Sequence, residues 1–134
     1  MYNRIETEHF IIEKFEEGCF RATMKSQVEF TLEVAREFDD AANEVSELQK
    51  HVMVFNGTNI VYAHSDARDY IKNAQDKNKT AVAVAFIAKS GIAKVAGNIF
   101  MKVTGPNFPM RLFTNGIEAE NWAVERYREY ESGV

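Results

Sequence analysis

The sequence predicts an α/β protein built on one mixed β-sheet, and three observations lead to this prediction. Near the start of the chain, two runs with strand character flank a short turn that contains glycine. After them, short apolar runs alternate with segments whose apolar residues recur every three or four positions. Thr80 to Ala88 is apolar without alternation, which is typical of a strand buried on both faces of a parallel sheet. The predicted order is β-β-α-β-α-β-α-β-α.

The composition predicts a single globular domain covering residues 1–134, with 46% hydrophobic and 27% charged residues. The net charge of −4, without any run of Lys or Arg, argues against nucleic-acid binding. No apolar run is long enough to span a membrane, and the N-terminus has no apolar signal region. The one cysteine, Cys19, cannot form an internal disulfide. We therefore expect a soluble, cytoplasmic protein.

The first half of the chain begins with the hairpin, predicted from His9–Phe15 and Cys19–Lys25 with Gly18 in the turn. The first helix is predicted over Thr31–Gln49. Its apolar residues recur at helical spacing and predict one buried stripe: Val34, Ala35, Phe38, Ala41, Ala42, Val45 and Leu48. The acidic residues on the other side are interpreted as a solvated face.

The middle of the chain is predicted as a short strand, a loop and a second helix. Val52–Phe55 is the strand, and the loop runs from Asn56 to Ser65. The helix covers Ser65–Gln75, with Ser65 as its N-cap.

In the remaining segment, a third helix is predicted to begin at Ser90 and to stop at Gly105-Pro106. Met110–Thr114 is the last strand. Asn115, with Glu118 three residues later, predicts a capping box at the start of the final helix. The apolar positions of that helix are predicted to face the core: Ile117, Ala119, Trp122, Ala123, Tyr127 and Tyr130.

The sequence contains no recognisable catalytic constellation. His9, His51 and His64 are scattered and lie far from Cys19, so no metal-ligand spacing is present. Neither a phosphate-binding loop nor a dinucleotide fingerprint occurs. We therefore expect a protein that is not an enzyme and that uses no metal or cofactor.

Three stretches carry a resemblance to a known family. They are Ser65–Tyr70, Gly97–Phe100 continuing to Pro106, and Pro109–Phe113 followed by Ala119 and Trp122. With the order of elements, they resemble the STAS domain, the fold of bacterial anti-anti-sigma factors. Residues 52–123 are similar to small bacterial STAS-like proteins of uncharacterised function.

The resemblance implies a protein-binding switch. In anti-anti-sigma factors, a partner kinase phosphorylates a serine at the start of the second helix, and this abolishes binding. Ser65 matches that position best. The surroundings differ, because the usual Asp-Ser-Ser-Gly run is replaced by His64, Ser65, Asp66 and Ala67. A plain helix cap is the alternative role for Ser65.

The expected binding edge lies at the carboxyl ends of the parallel strands, where open α/β sheets bind their ligands. Its candidate residues follow the strands in sequence: Asn56, Gly57, His64, Asp66, Lys89 and Ser90. The sequence favours a regulatory protein-interaction module with an unknown protein partner, and the resemblance implies a switch of the anti-sigma-antagonist type. The alternative is a small-ligand or lipid-binding module that uses the third helix and Phe108. Homo-oligomerisation through an edge strand stays open.

Overall fold

A mixed β-sheet forms the centre of the fold. The computed structural model describes residues 3–78, 80–88 and 109–133. These residues contain eight strands: β1 Arg4–Glu6, β2 Phe10–Glu16, β3 Cys19–Met24, β4 Val28–Phe30, β5 His51–Asn56, β6 Ile60–Ala63, β7 Ala81–Ile87 and β8 Met110–Phe113. Six strands form the main sheet in the order β1-β2-β3-β5-β7-β8, while β4 and β6 form a separate two-stranded sheet. The predicted mixed α/β class is confirmed.

The N-terminal hairpin supplies the antiparallel part of the main sheet, as predicted. In the pairing of β2 with β3, Phe10 lies opposite Met24 and Ile12 opposite Ala22. These side chains are buried on one face. Beyond the hairpin, β3, β5, β7 and β8 pair in parallel.

The three helices of the described chain are α1 Leu32–Ser46, α2 Ser65–Asn78 and α3 Gly116–Glu131. They cover the two faces of the sheet. Along β5, Met53 and Phe55 belong to the core on the α1 and α2 side. Val52 and Val54 pack with α3 on the other face. Because both faces are buried, the central strands are apolar at successive positions.

Helix α1 begins and ends at residues with recognisable cap geometry. Thr31 is the N-cap, and its hydroxyl accepts a 3.3 Å hydrogen bond from the Val34 amide. The helix ends at Ser46, earlier than the predicted Gln49, because Glu47 and Leu48 adopt left-handed conformations with φ of 56° and 59°. The chain turns away from the core there. Leu48 is 62% exposed, so the prediction that it faces the core was wrong.

Helix α3 begins where the sequence predicted. The side-chain oxygen of Asn115 accepts hydrogen bonds from the amides of Ile117, at 2.8 Å, and Glu118, at 3.2 Å. The buried line of the helix passes through Ala119 and Ala123. Ile117 lies about 200° around the helix from Ala119, given 3.6 residues per turn. Ile117 is 73% exposed and Tyr130 is 45% exposed, so the core positions predicted for these two residues were wrong.

Three short strands were not predicted: β1, β4 and β6. The predicted loop from Asn56 to Ser65 therefore contains a strand, Ile60–Ala63. The predicted third helix, from Ser90 to Gly105-Pro106, and Phe108 lie outside the described residues. Among the helices that the structure describes, none has the length and apolar character needed to cross a membrane.

Candidate functional site

The carboxyl ends of the parallel strands form the predicted binding edge, and Asn56 and Gly57 have structural roles there. The side-chain oxygen of Asn56 accepts a 3.0 Å hydrogen bond from the Thr58 amide. The amide of Gly57 donates to the carbonyl of Ile87 at 2.9 Å, which ties the end of β5 to the end of β7. A Cβ atom on Gly57 would lie 2.5 Å from the Phe86 ring. These two residues therefore connect the ends of β5 and β7 and begin the turn that precedes β6.

The small β4–β6 sheet carries an irregularity that exposes β6. Val28 lies opposite Ile60, but the next residue, Glu29, lies opposite Tyr62, so Val61 is an extra residue on β6. Such a bulge changes the direction of the side chains that follow it. Val61 and Tyr62 are 46% and 57% exposed, although they are adjacent in the strand. The bulge thus presents two large apolar side chains to solvent.

Polar groups surround Tyr62. The Nε2 atom of His64 lies 2.5 Å from Oε1 of Glu29, across the two strands. The His64 ring meets the Tyr62 ring edge to face, with centroids 5.0 Å apart. The backbone amide of His64 also donates to the carbonyl of Phe30 at 3.0 Å. These contacts fix the imidazole beside the tyrosine.

Ser65 is exposed and is the first residue of α2. The carbonyl of His64 accepts the 3.1 Å hydrogen bond from the Arg68 amide. His64, and not Ser65, therefore has the N-cap position, and the predicted cap was one residue too late. The carboxylate of Asp66 accepts a 2.8 Å hydrogen bond from the amide of Ala67. A phosphate on Ser65 would compete with this carboxylate for the first-turn amides.

The structure thus brings His64, Ser65 and Asp66 next to the exposed part of β6. Lys89 and Ser90 lie outside the described residues. We call Val61, Tyr62, His64 and Ser65, together with Glu29 of β4, the β6 surface. The sequence analysis missed Glu29, Val61 and Tyr62. An aromatic residue within a predicted loop was the one signal for Tyr62, and nothing local linked Glu29 to a histidine 35 positions away.

The remaining reactive residues are separate and mostly buried. Cys19 is fully buried, and burial, with the nearby charge of Glu16, raises the pKa of its thiol to about 12. His51 is also buried, and desolvation lowers its pKa below the ordinary 6.5. His9 lies 3.5 Å from Glu37 at the surface. Within the described ranges, no three His, Cys, Asp or Glu side chains are grouped so that they could hold a metal ion.

Comparison with known families gives one match over most of the chain. The model of a domain of unknown function, DUF7793, matches residues 13–127. The chain belongs to the DUF7793 family. No curated protein sequence matches it.

Among solved structures, the chain is similar to an uncharacterised protein of the DUF3478 family from Shewanella loihica PV-4, which has a SpoIIAA-like fold. The similarity covers 89% of this chain and 98% of that protein, with a TM-score of 0.58 and 16% sequence identity. At this identity the likeness extends to the fold alone. The STAS-like resemblance seen in the sequence is confirmed at that level, because SpoIIAA-like and STAS-like describe the same architecture.

Proposed function

We propose that this chain is a non-enzymatic regulatory module that binds a protein partner through the β6 surface. One observation carries the proposal: the bulge at Val61 exposes adjacent apolar side chains, with Tyr62 held beside His64. Tyrosine is enriched among the residues that dominate binding energy at protein interfaces, because it combines a large apolar area with a hydroxyl.

The charges around the β6 surface indicate the chemistry of the partner. Two exposed carboxylates lie at this surface: Glu29 is opposite Tyr62 across the strand pair, and Asp66 follows Ser65 in the chain. A complementary partner presents an apolar pocket for Tyr62 with Lys or Arg at its rim. Electrostatic attraction of this kind raises the association rate and weakens as the salt concentration rises.

Several contacts support a binding role over catalysis. The imidazole of His64 contacts the carboxylate of Glu29, and both side chains lie at the surface of the β4–β6 sheet. The thiol of Cys19 is buried and has a raised pKa, so it is a poor nucleophile. A free buried thiol is also compatible with a reducing compartment, and we propose the cytoplasm as the setting.

The SpoIIAA-like fold of the solved neighbour supports a finer proposal, in which Ser65 controls partner binding. Ser65 is exposed at the start of α2 and directly follows the His64 side chain of the β6 surface. A negative charge added there would stand beside Asp66 in the chain and next to His64, the partner of Glu29. It would change the local charge without requiring any change in the fold.

The first experiment identifies the contact by site-specific photo-crosslinking in the native cell. A benzophenone amino acid replaces Val61 in one variant and Leu48, at the opposite end of the molecule, in the control. Both positions are exposed and apolar, at 46% and 62%. We expect a discrete crosslinked partner from position 61 alone. A crosslinked product of twice the chain mass would identify the partner as a second copy.

The purified partner is then titrated against Tyr62→Ala and Tyr130→Ala, two truncations of exposed tyrosines at opposite ends. We expect Tyr62→Ala to weaken binding about tenfold or more, the effect of losing a central interface residue. Tyr130→Ala should bind as the wild type does. Equal affinities for all three proteins would exclude the β6 surface as the contact.

The role of Ser65 is tested with Ser65→Ala and Ser65→Asp against the same partner. If Ser65 is a switch, the Asp variant loses affinity and the Ala variant keeps it. If both variants bind normally, Ser65 is only the first residue of α2.

A further inference from the structure

The first strand, β1, forms one edge of the main sheet. Among the described strands it pairs only with β2, in an antiparallel register in which Ile5 lies opposite Ile12. Residues 89–108, which lie outside the described ranges, connect β7 to β8 at the other edge of this sheet. The outer side of an edge strand presents backbone amides and carbonyls that can pair with a strand of another chain.

The hydrogen bonds between β1 and β2 show which backbone groups of β1 point inward. The amide of Lys14 donates to the carbonyl of Asn3 at 2.8 Å, across the start of the pair. The amide of Thr7 donates to the carbonyl of Phe10 at 2.9 Å, across its end. In an antiparallel pair, residues that exchange hydrogen bonds with the opposite strand alternate with residues whose backbone groups point away from it. Every second residue from Asn3 therefore faces β2, including Ile5 in the centre of β1.

The other two residues of β1, Arg4 and Glu6, have the opposite phase, so their amides and carbonyls point out of the sheet edge. Their exposed side chains carry opposite charges and form an ion pair at 3.0 Å. Within the chain, Glu13 also lies 3.9 Å from Arg4, and Lys25 lies 2.6 Å from Glu6. Ile5 points to the other face of the strand, where it packs against the core on the α1 and α2 side.

A second copy of β1 matches this pattern about a two-fold axis that passes through Ile5. When the two strands are antiparallel, Arg4 of each copy lies opposite Glu6 of the other copy. Each of these residue pairs then exchanges both of its backbone hydrogen bonds. The two Ile5 side chains lie next to each other on the core side, in the position without hydrogen bonds where opposite side chains come closest. The edge of β1 is therefore complementary to itself.

The charges of β1 select this register over its neighbours. An axis through Arg4 would place the two arginines opposite each other, and an axis through Glu6 would do the same with the two glutamates. Like charges directly opposite each other destabilise a strand pair, which is how charged edge strands avoid pairing. With the axis at Ile5, every charge lies opposite the other sign. Exposed ion pairs add little affinity, so the charges set the register while the backbone bonds and Ile5 hold the strands together.

We propose that two copies of this chain form a two-fold symmetric dimer in which β1 pairs with β1 and the two main sheets become one continuous sheet. The contact is small, because β1 has three residues. The net charge of −4 on each chain, with several acidic residues on α1, also opposes association. The dimer is therefore weak and reversible. It is independent of the proposed partner contact, because β6 belongs to the other sheet.

The first test is sedimentation equilibrium of the full chain at about 0.3 M salt, which screens the repulsion between the two chains. We expect a reversible equilibrium between monomer and dimer. A monomer at every concentration up to about 1 mM would overturn the proposal.

The outward amide of Glu6 is tested by a pair of variants in the same measurement. Glu6→Pro removes this amide and no hydrogen bond to β2, whereas Glu6→Ala removes the same carboxylate and keeps the amide. We expect Glu6→Pro to weaken the dimer about tenfold or more, and Glu6→Ala about threefold or less. Equal dimerisation of the two variants would show that β1 is not the contact.

A cysteine crosslink tests the register. Ile5→Cys brings two thiols to the two-fold axis at a Cα separation of about 4.5 Å, which suits a disulfide. The native Cys19 is fully buried and does not compete. Under mild oxidation we expect a covalent dimer of Ile5→Cys, while the more exposed positions in Leu48→Cys and Val61→Cys stay largely monomeric. If Ile5→Cys crosslinks no faster than Leu48→Cys, or if Val61→Cys crosslinks instead, pairing through β1 is wrong.

Discussion

The two ends of the main sheet differ in the shape that they offer to other molecules. At the carboxyl end of the parallel strands, the β4–β6 pair presents exposed side chains, with Tyr62 and Val61 outermost. At the amino end, the β2–β3 turn and two helix C-termini enclose a cavity of about 240 Å³. Exposed aromatic residues suit the pockets of a protein partner, whereas a recess with convergent polar groups suits a small ligand. The two ends of the described sheet therefore differ in shape and in chemistry.

A glycine in close contact with an aromatic ring occurs at each end. Gly18 lies against Tyr127 at the amino end, and Gly57 lies against Phe86 at the carboxyl end. The backbone differs between them, because Gly18 has a φ of +71°. An alanine at position 18 would have both a strained backbone and a clash with Tyr127, whereas an alanine at position 57 would have only a clash, with Phe86.

The largest effect is expected for Gly18→Ala. The left-handed backbone and the 2.1 Å approach to Tyr127 together should lower the free energy of unfolding by about 3 kcal/mol. Urea denaturation measures the change. The matched control is Gly133→Ala, which has a φ of +75° but no atom within 4 Å, and should cost about 1 kcal/mol or less. Equal effects of the two substitutions would mean that Tyr127 does not pack on the turn.

Gly57→Ala should destabilise the protein by about 2 kcal/mol, because the new methyl group overpacks the Phe86 ring. Gly116→Ala is its control, since there the added Cβ atom meets Ile87 at 3.8 Å, an ordinary contact. Alanine also favours the helical conformation more than glycine does. If Gly57→Ala leaves the free energy of unfolding unchanged, Gly57 and the Phe86 ring are less closely packed than the structure indicates.

His51, at the start of β5, should make stability depend on pH. Its folded-state pKa is lowered by burial, so the unfolded chain binds the proton more readily. Proton binding to the unfolded chain therefore lowers the free energy of unfolding. This loss is absent well above pH 6.5, the ordinary pKa, and it grows as the pH falls through 6.5 towards the folded-state pKa. One such group contributes at most about 1.4 kcal/mol per pH unit.

Urea denaturation over a series of pH values measures this slope. The variant His51→Asn keeps a donor that can reach the Gln49 carbonyl and removes the titration. We expect it to flatten the curve below pH 6.5. An unchanged slope in the variant would assign the pH dependence to other groups.

The smallest effect is expected at the β6 surface itself. Glu29→Gln removes the charge that faces His64, and exposed pairs of this kind contribute about 0–1 kcal/mol. The free energy of unfolding should therefore change little, and the change should be smaller at high salt concentration. A loss of stability well above this range would show that the ion pair holds β4 to β6. The β6 surface would then have a structural role.

Elements with strong local signals were predicted well from the sequence. The hairpin and β7 followed from runs of apolar residues, and the start of α3 from Asn115. The pairing of β4 with β6 was missed because it joins residues about 32 positions apart in strands of three and four residues. The exposure of Leu48 was missed because a left-handed turn of two non-glycine residues has no sequence signature.

The candidate site could be predicted only in part. The position of Ser65 followed from the family resemblance, and Asn56 and Gly57 from their place after a parallel strand. The exposure of Tyr62 depends on the bulge at Val61, which is a property of the pairing between two strands. The periodicity of the sequence could therefore not predict that Tyr62 is exposed.

The central claim is that a protein partner contacts the β6 surface, and the most direct test is calorimetric titration of the crosslinked partner with Tyr62→Ala and Tyr130→Ala. Thermal unfolding first establishes that both variants fold. The claim predicts that Tyr62→Ala loses about tenfold or more in affinity and that Tyr130→Ala retains it. Full affinity of Tyr62→Ala, or an equal loss in both variants, would contradict it.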